Sequence, residues 1–256
     1  MLPYHSRRSS SKRSRAAVKP AEDGLLARLS AVIIYTLFFL CITPIAMAIL
    51  YRYVPPPVTP LMLIRLAQGH AIHKTWMPLT QISPALRQSV IASEDNLFCE
   101  HNGFDWKAID KAIDQWQDGN PSGKGGSTIS QQTAKNVFLV PNRALWRKAL
   151  EAPLTVLIEH LWPKQRILEI YLNIAEWAPG VYGAEAASRY YFHTSARNLT
   201  RPQAALLAAV LPSPLHWSAS RPGPYVASRG RAIQRRVPQL DPAYTACSFP
   251  LLTPKS

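Results

Sequence analysis

Between Arg28 and Arg52 the chain runs LSAVIIYTLFFLCITPIAMAILY, from Leu29 to Tyr51, without one charged side chain. At ~1.5 Å per residue a helix of this length reaches ~34 Å, enough to cross the hydrocarbon core of a bilayer. In lipid, backbone amides must find partners within the segment, so the run is expected to be one helix, with Pro44 at most kinking it. A cleaved signal peptide is the rival. The run is long for that, and no small-residue cleavage site precedes the VPPPVTP that follows. The sequence therefore predicts an uncleaved single-pass helix over 29–51. Seven Lys/Arg against two acids in residues 1–28 hold that tail in the cytoplasm and put everything after Arg52 on the far side, periplasmic for an inner-membrane protein.

This partition decides how the net charge of +14 is read. A basic chain suits phosphate-bearing partners, anionic lipid or nucleic acid. The tail's role as a topology signal is sufficient, however, and nucleic acid is not expected as a partner. Of three cysteines, Cys41 lies inside the apolar run, which leaves Cys99 and Cys247. With no CxxC or Cys/His cluster, no metal site is expected. A Cys99–Cys247 disulfide is open to a chain outside the cytoplasm, but unpaired thiols are the expectation.

The remaining organisation follows from periodicity and from proline. Residues 52–60 form a stiff Pro-rich spacer, 61–237 a mainly α domain, and 238–256 an aperiodic tail expected to pack loosely. Helices are predicted over Pro84–Phe98, Trp106–Gln117, Thr128–Phe138, Arg143–Trp162, Pro163–Trp177, Ala184–Tyr191 and Arg201–Leu211. Pro153 and Pro163 are expected to bend or break the central pair. The strand signal is confined to Thr75–Leu79.

Three stretches carry chemistry. In VIASEDNLFCEHNGFDW, read as a helix, Glu94 falls within the apolar arc of Leu86, Val90, Ile91, Leu97 and Phe98. A carboxylate there must be paired, protonated or facing a cleft, because an unpaired buried charge is costly. A structural ion pair meets that demand as well as a catalytic acid does. In GKGGSTISQQTAKNVFL, Thr128 and Gln131 fit a capping box. Thr128, Gln132 and Lys135 follow on one stripe with Asn136 beside them, so either an anion site or a solvated polar face fits. In PNRALWRKALEAPL, Arg143, Arg147 and Glu151 are spaced by four and Lys148 lies three before Glu151. Intrahelical ion pairs explain this, and so does a diphosphate site. His101 by itself reads as a structural hydrogen-bonding residue. Ile167, Leu168, Tyr171 and Leu172 read as core, and Glu169 and Asn173 as ties between helices. Arg52, Arg65 and Leu61–Ile64, beside the anchor, suit either the lipid interface or, for the apolar four, the core.

SEDNLFCEHNGFD, GGSTISQQTAKN, RKALE, KQRILEIYLN and GAEAASRYYF occur in this order at short spacings. Together they resemble the five motifs of family 51 glycosyltransferases, the peptidoglycan polymerases, over about Leu61–Val237. The chain ends soon afterwards and has no combined S-x-x-K, S-x-N and K-T-G set, so it resembles the monofunctional members, without transpeptidase activity. In WAPG, Ala178 stands where the family usually has Gly.

The resemblance implies a lysozyme-like, two-lobed helical fold with a cleft opening toward the membrane. It implies that Glu94 is the general base that deprotonates the 4-hydroxyl of lipid II. That oxygen attacks C1 of a lipid-linked glycan chain, with inversion to a β-1,4 bond and loss of undecaprenyl diphosphate. Glu151 corresponds to the family's second important acid. Lys135, Arg143, Arg147 and Lys148 correspond to diphosphate-binding cations. Asp95, Phe98, His101, Thr128, Gln132 and Asn136 correspond to motif residues that shape the cleft. Mg2+ bridging the diphosphate is an implied cofactor, and the membrane and other cell-wall synthesis proteins are implied partners. A lyase or hydrolase on the same fold, or a non-catalytic scaffold, are the alternatives; the cations argue against the first and the intact Glu94, Lys135 and Glu151 set against the second.

Overall fold

The computed structural model describes residues 22–117, 126–142 and 144–249. The chain divides into two units, one ending at Thr43 and one beginning at Pro44. The described residues of the first are the greater part of helix α1 (Glu22–Tyr51). Within it the stretch Leu26–Tyr51 is long and apolar enough to cross a membrane. Its side chains up to Thr43 are almost all exposed, as lipid-facing residues would be. Helix α1 continues through Pro44.

The second unit is mainly α. After Tyr51 come α2 (Pro60–Ala67), α3 (Pro84–Glu94), α4 (Trp106–Gln117), α5 (Ile129–Phe138), α6 (Leu145–Leu161), α7 (Lys164–Ile174), α8 (Ala184–Phe192), α9 (Arg201–Val210), α10 (Pro224–Arg236) and α11 (Pro242–Ala246). A small sheet has the order β1 (His73–Lys74), β3 (Val181–Tyr182), β2 (Glu176–Ala178), with β1 parallel and β2 antiparallel to β3. Two groups of helices form: α9 packs on α3 and α10, and α5 packs on α6 and α7. One apolar core joins them, from Ala48 through Leu86, Ile129, Leu168 and Trp177 to Ile233.

Local chemistry sets the helix ends. Ser83 caps α3, accepting from the Ala85 amide ahead of Pro84 at the first helical position. Thr128 and Gln131 form the predicted capping box on α5. Thr200 and Gln203 form another on α9. Gly180 turns the chain between β2 and β3 at φ 74°, and a Cβ there would lie 2.3 Å from the Ala71 carbonyl oxygen. Only glycine fits that approach. Ala178 is a buried β2 residue before the turn, so the departure from the family's glycine is accommodated.

Several expectations are corrected. The first helix does not run to Phe98. It stops at Glu94, because Asp95 leaves helical geometry (φ −164°, ψ 80°). Of the two prolines expected to bend or break the central pair, Pro153 does not break α6, whereas a helix ends ahead of Pro163. The segment from Glu176 leaves α7 and enters the sheet, and the predicted strand over Thr75–Leu79 is displaced to His73–Lys74.

The described part of the tail after Pro238, up to Phe249, does not pack loosely. It forms α11 and buries Ser248 completely. It is fastened by a Cys99–Cys247 disulfide, which overturns the expectation of free thiols. Arg87, 4% exposed, donates to the Ser248 carbonyl and lies over the Phe249 ring. Finally, the patch beside the anchor is mixed. Met62 is core, Leu63 is exposed, and Arg65 pairs with Glu176 at 3.3 Å.

Candidate active site

The site forms where α3 ends. With α3 stopping at Glu94, that carboxylate projects from a helix terminus between the two helical groups. It is nearly buried, its side chain 11% exposed. Its Oε2 accepts from Gln132 Nε2 of α5 at 3.3 Å, and its Oε1 from the neighbouring Ser93 hydroxyl at 3.2 Å. Arg229 of α10 reaches Oε1 at 3.5 Å while donating to Ser93 Oγ at 2.9 Å. Burial raises the Glu94 pKa above the ordinary carboxylate value. The Gln132 hydrogen bond, the Arg229 charge and the Ser93 bond oppose that rise, and the Asp95 charge adds to it. Burial prevails, so this carboxylate is a stronger base than one in water.

Asp95, next in sequence, faces the other way and is fully engaged. Its Oδ2 accepts from the Ile129 amide at the start of α5 (2.9 Å), and its Oδ1 from His101 Nε2 (2.8 Å). The Gly103 amide donates to His101 Nδ1 at 3.1 Å, which leaves the imidazole proton on Nε2 for Asp95. Gly103 sits at φ 93°, where a Cβ would press on Thr155 Cγ2 at 2.8 Å, and its carbonyl accepts from Thr128 Oγ1 at 2.7 Å. Asp95, His101 and Thr128 therefore brace the α3–α5 junction that holds Glu94 against Gln132. Phe98 is wholly buried, with the Lys164 ammonium 4.7 Å from its ring centre, and supports the junction from the core. The start of α5, where the capped-helix reading allowed an anion, has two of its amides already engaged. Its Ile129 and Gln131 amides are taken by Asp95 and Thr128.

On α5 the Lys135 ammonium is buried enough to lower its pKa. The Arg147 charge lowers it further and the Glu94 charge opposes this. Lys135 thus lies within electrostatic reach of both the acid and the α6 cation. Arg147 forms an i,i+4 ion pair with the buried Glu151 and donates to the Asn142 carbonyl. The carboxylate of Glu151 therefore orients Arg147. Lys148 is exposed, and Asn136 is half-buried beside Lys135; neither side chain makes a hydrogen bond among the described residues. Arg143 lies outside the described residues.

Two participants have no local signature in the sequence. Arg229 lies 135 positions after Glu94 on a polar helix and reaches it only through the fold. Tyr171 is core, as expected, yet its hydroxyl donates to Gln132 Oε1 at 3.3 Å, fixing the amide so that its NH2 faces Glu94. Burial, with the Glu94 and Asp95 charges, raises the Tyr171 pKa well above the usual phenol value. Glu169 and Asn173 are ties: they accept from the Leu79 and Met77 amides, both at 2.8 Å. Among the described residues no three His, Cys, Asp or Glu side chains converge on a metal position.

The arrangement is a buried, raised-pKa carboxylate facing a lysine, with an acid-oriented arginine beyond it. Such a set can take a proton from a nucleophile and stabilise an anionic leaving group. A sequence model of the transglycosylase family matches residues 62–237. The chain is 52% identical over 207 residues to a biosynthetic peptidoglycan transglycosylase of Caulobacter vibrioides, covering 80% of this chain and 90% of the relative. Identity is 50% to relatives of the same name from Rhodospirillum centenum (83% and 90% covered) and Pseudomonas aeruginosa (80% and 90%). The chain belongs to the transglycosylase family, with the lysozyme-like helical fold of its domain, and stands among the biosynthetic peptidoglycan transglycosylases.

Proposed function

We propose that the chain is a peptidoglycan glycosyltransferase that polymerises lipid II into β-1,4-linked glycan. The observation that carries this reading is the Glu94 carboxylate, buried against Gln132 and within electrostatic reach of Lys135, which in turn feels the Arg147 charge. Glu94 takes the proton of the acceptor 4-hydroxyl as that oxygen attacks C1 of the lipid-linked donor from the face opposite the diphosphate. The C1–O bond to diphosphate breaks, the anomeric carbon inverts, and undecaprenyl diphosphate leaves. No second carboxylic acid is needed to protonate that leaving group, so Glu151 has a different task from the acid of a glycosidase pair. It holds Arg147 in place, and Lys135 and Arg143, seconded by Arg147 and Lys148, stabilise the charge growing on the diphosphate. Asp95, His101, Thr128, Phe98 and Asn136 shape and brace the cleft.

The described carboxylates do not make a cage for Mg2+. A divalent cation would be held chiefly by diphosphate oxygens and water, and no step here is routed through it. In this reading α1 spans the inner membrane once, with the basic tail in the cytoplasm. The Cys99–Cys247 disulfide supports an oxidising compartment for the catalytic unit. No transpeptidase step is assigned.

The test is product analysis. Purified full-length protein in detergent, given labelled lipid II, is expected to yield polymer that a muramidase digests, with one undecaprenyl diphosphate released per bond. Shortening of added glycan without polymer would transfer the site to a lyase.

A further inference from the structure

A second recess lies away from Glu94, of about 540 Å³, walled by the β2–β3 turn, the end of α8 and the loop between α9 and α10. It shares no residue with the site above. Tyr190, 58% exposed, and Trp217 supply aromatic surface, and His193, His216 and Arg221 supply polar and cationic groups. A neighbouring hollow of about 620 Å³ shares Tyr190 and Pro179 with it and adds His73 and Arg189, the latter already paired with Glu185 at 2.7 Å. No Asp or Glu lines either one. The walls are held in place. The Tyr191 hydroxyl donates to the Trp177 and Trp217 carbonyls (3.0 and 3.3 Å), and Trp217 packs on Tyr225 with ring centres 5.1 Å apart.

Exposed aromatic rings flanked by hydroxyls and imidazoles suit pyranose rings, whose C–H faces stack while their hydroxyls hydrogen-bond. Arg221, with no Asp or Glu lining its recess, suits a carboxylate. The place of the groove also matters. Its α9–α10 loop is bracketed by two residues that touch the Ser93–Glu94 pair: Ala208, whose carbonyl accepts from Ser93, and Arg229. We propose that this Tyr190–Trp217–Arg221 groove is a holding site for the glycan strand, binding sugar rings and the carboxylates of their peptide substituents beyond the reacting unit. The identity of the strand rests on the glycosyltransferase reading above.

The test titrates full-length protein in detergent with soluble, uncrosslinked peptidoglycan strands bearing stem peptides, read by tryptophan fluorescence. Chito-oligosaccharides of equal length serve as the uncharged probe. Wild type and Glu94→Gln are expected to bind strands equally, and both to bind the uncharged probe more weakly. Tyr190→Ala and Arg221→Gln are expected to weaken strand binding about tenfold, the scale of one lost anchor. With lipid II they should keep the initial coupling rate but give shorter product. Arg221→Gln should also erase the preference for charged strands, a change that misfolding would not produce. Wild-type affinity in both variants, or no strand binding by wild type, overturns the proposal. Binding that persists while wild type makes no polymer would refute the glycosyltransferase reading and leave a glycan-binding groove.

Discussion

Replacing both Cys99 and Cys247 by serine tests the least expected feature of the fold. The bond closes a loop across 148 positions. Chain entropy for a loop of that length gives an upper figure of about 5 kcal/mol, and removals of native disulfides commonly cost about 2–5 kcal/mol. The non-covalent contacts that remain are real but few. Arg87 still donates to the Ser248 carbonyl and still lies over Phe249. If the tail lifts away, Arg87 loses that acceptor while its Nε already has no partner, which adds the cost of an under-satisfied cation. The double variant should therefore lose about 2–5 kcal/mol in urea unfolding of the detergent-solubilised full chain. Reduction of the wild type should reproduce the loss, and the residues around α11 should become protease-sensitive before the domain unfolds. A loss below ~1 kcal/mol with an uncleaved tail would show that Arg87 and Ser248 suffice, and would refute the argument that the bond fastens the segment.

Other consequences concern the site. Lys135→Ala should lower turnover more than a hundredfold, since one preorganised charge stabiliser is typically worth about 3 kcal/mol; a loss under twofold removes Lys135 from the mechanism. The acid limb of the polymerisation pH profile should lie above the ordinary carboxylate pKa, because Glu94 must be ionised and burial raises its pKa. Arg229→Gln removes a charge that lowers this pKa, so the limb should move further up; an unmoved limb would detach Arg229 from Glu94. Stability has the matching sign. A raised folded-state carboxyl pKa gives a contribution present below the unfolded value and lost as pH rises through the folded one. Glu94→Gln should therefore melt at or above wild type at neutral pH, with an advantage that shrinks on acidification. Asp95→Ala strands the Ile129 amide and His101 Nε2 and should cost about 1–3 kcal/mol per orphaned buried group, measured by thermal unfolding.

What the sequence made legible was what is local. The start of α4 at Trp106, the Thr128–Gln131 capping box and the Arg147–Glu151 pairing follow from spacing alone and stand in the structure. The motifs carried the family. Glu94 was conspicuous as a carboxylate on an apolar arc, but for a reason that needed correcting. The helix ends at Glu94, and Asp95 is diverted to the amide of Ile129, an acceptor–donor match between segments 34 positions apart. No helical period encodes such a match. Arg229, Tyr171 and the Cys99–Cys247 bond were hidden for the same reason: each partner is fixed by packing of α3, α5, α7, α10 and the tail. Pro153 does not break its helix, because proline preference is a local prior and α6 runs continuously through it.

The central claim is that Glu94 is the base for glycan polymerisation. The most direct measurement compares wild type with Glu94→Gln, equally folded in detergent, under single turnover with labelled lipid II. The account predicts muramidase-sensitive polymer from wild type and none from the variant, which should still bind lipid II. Undiminished polymerisation by Glu94→Gln would contradict it.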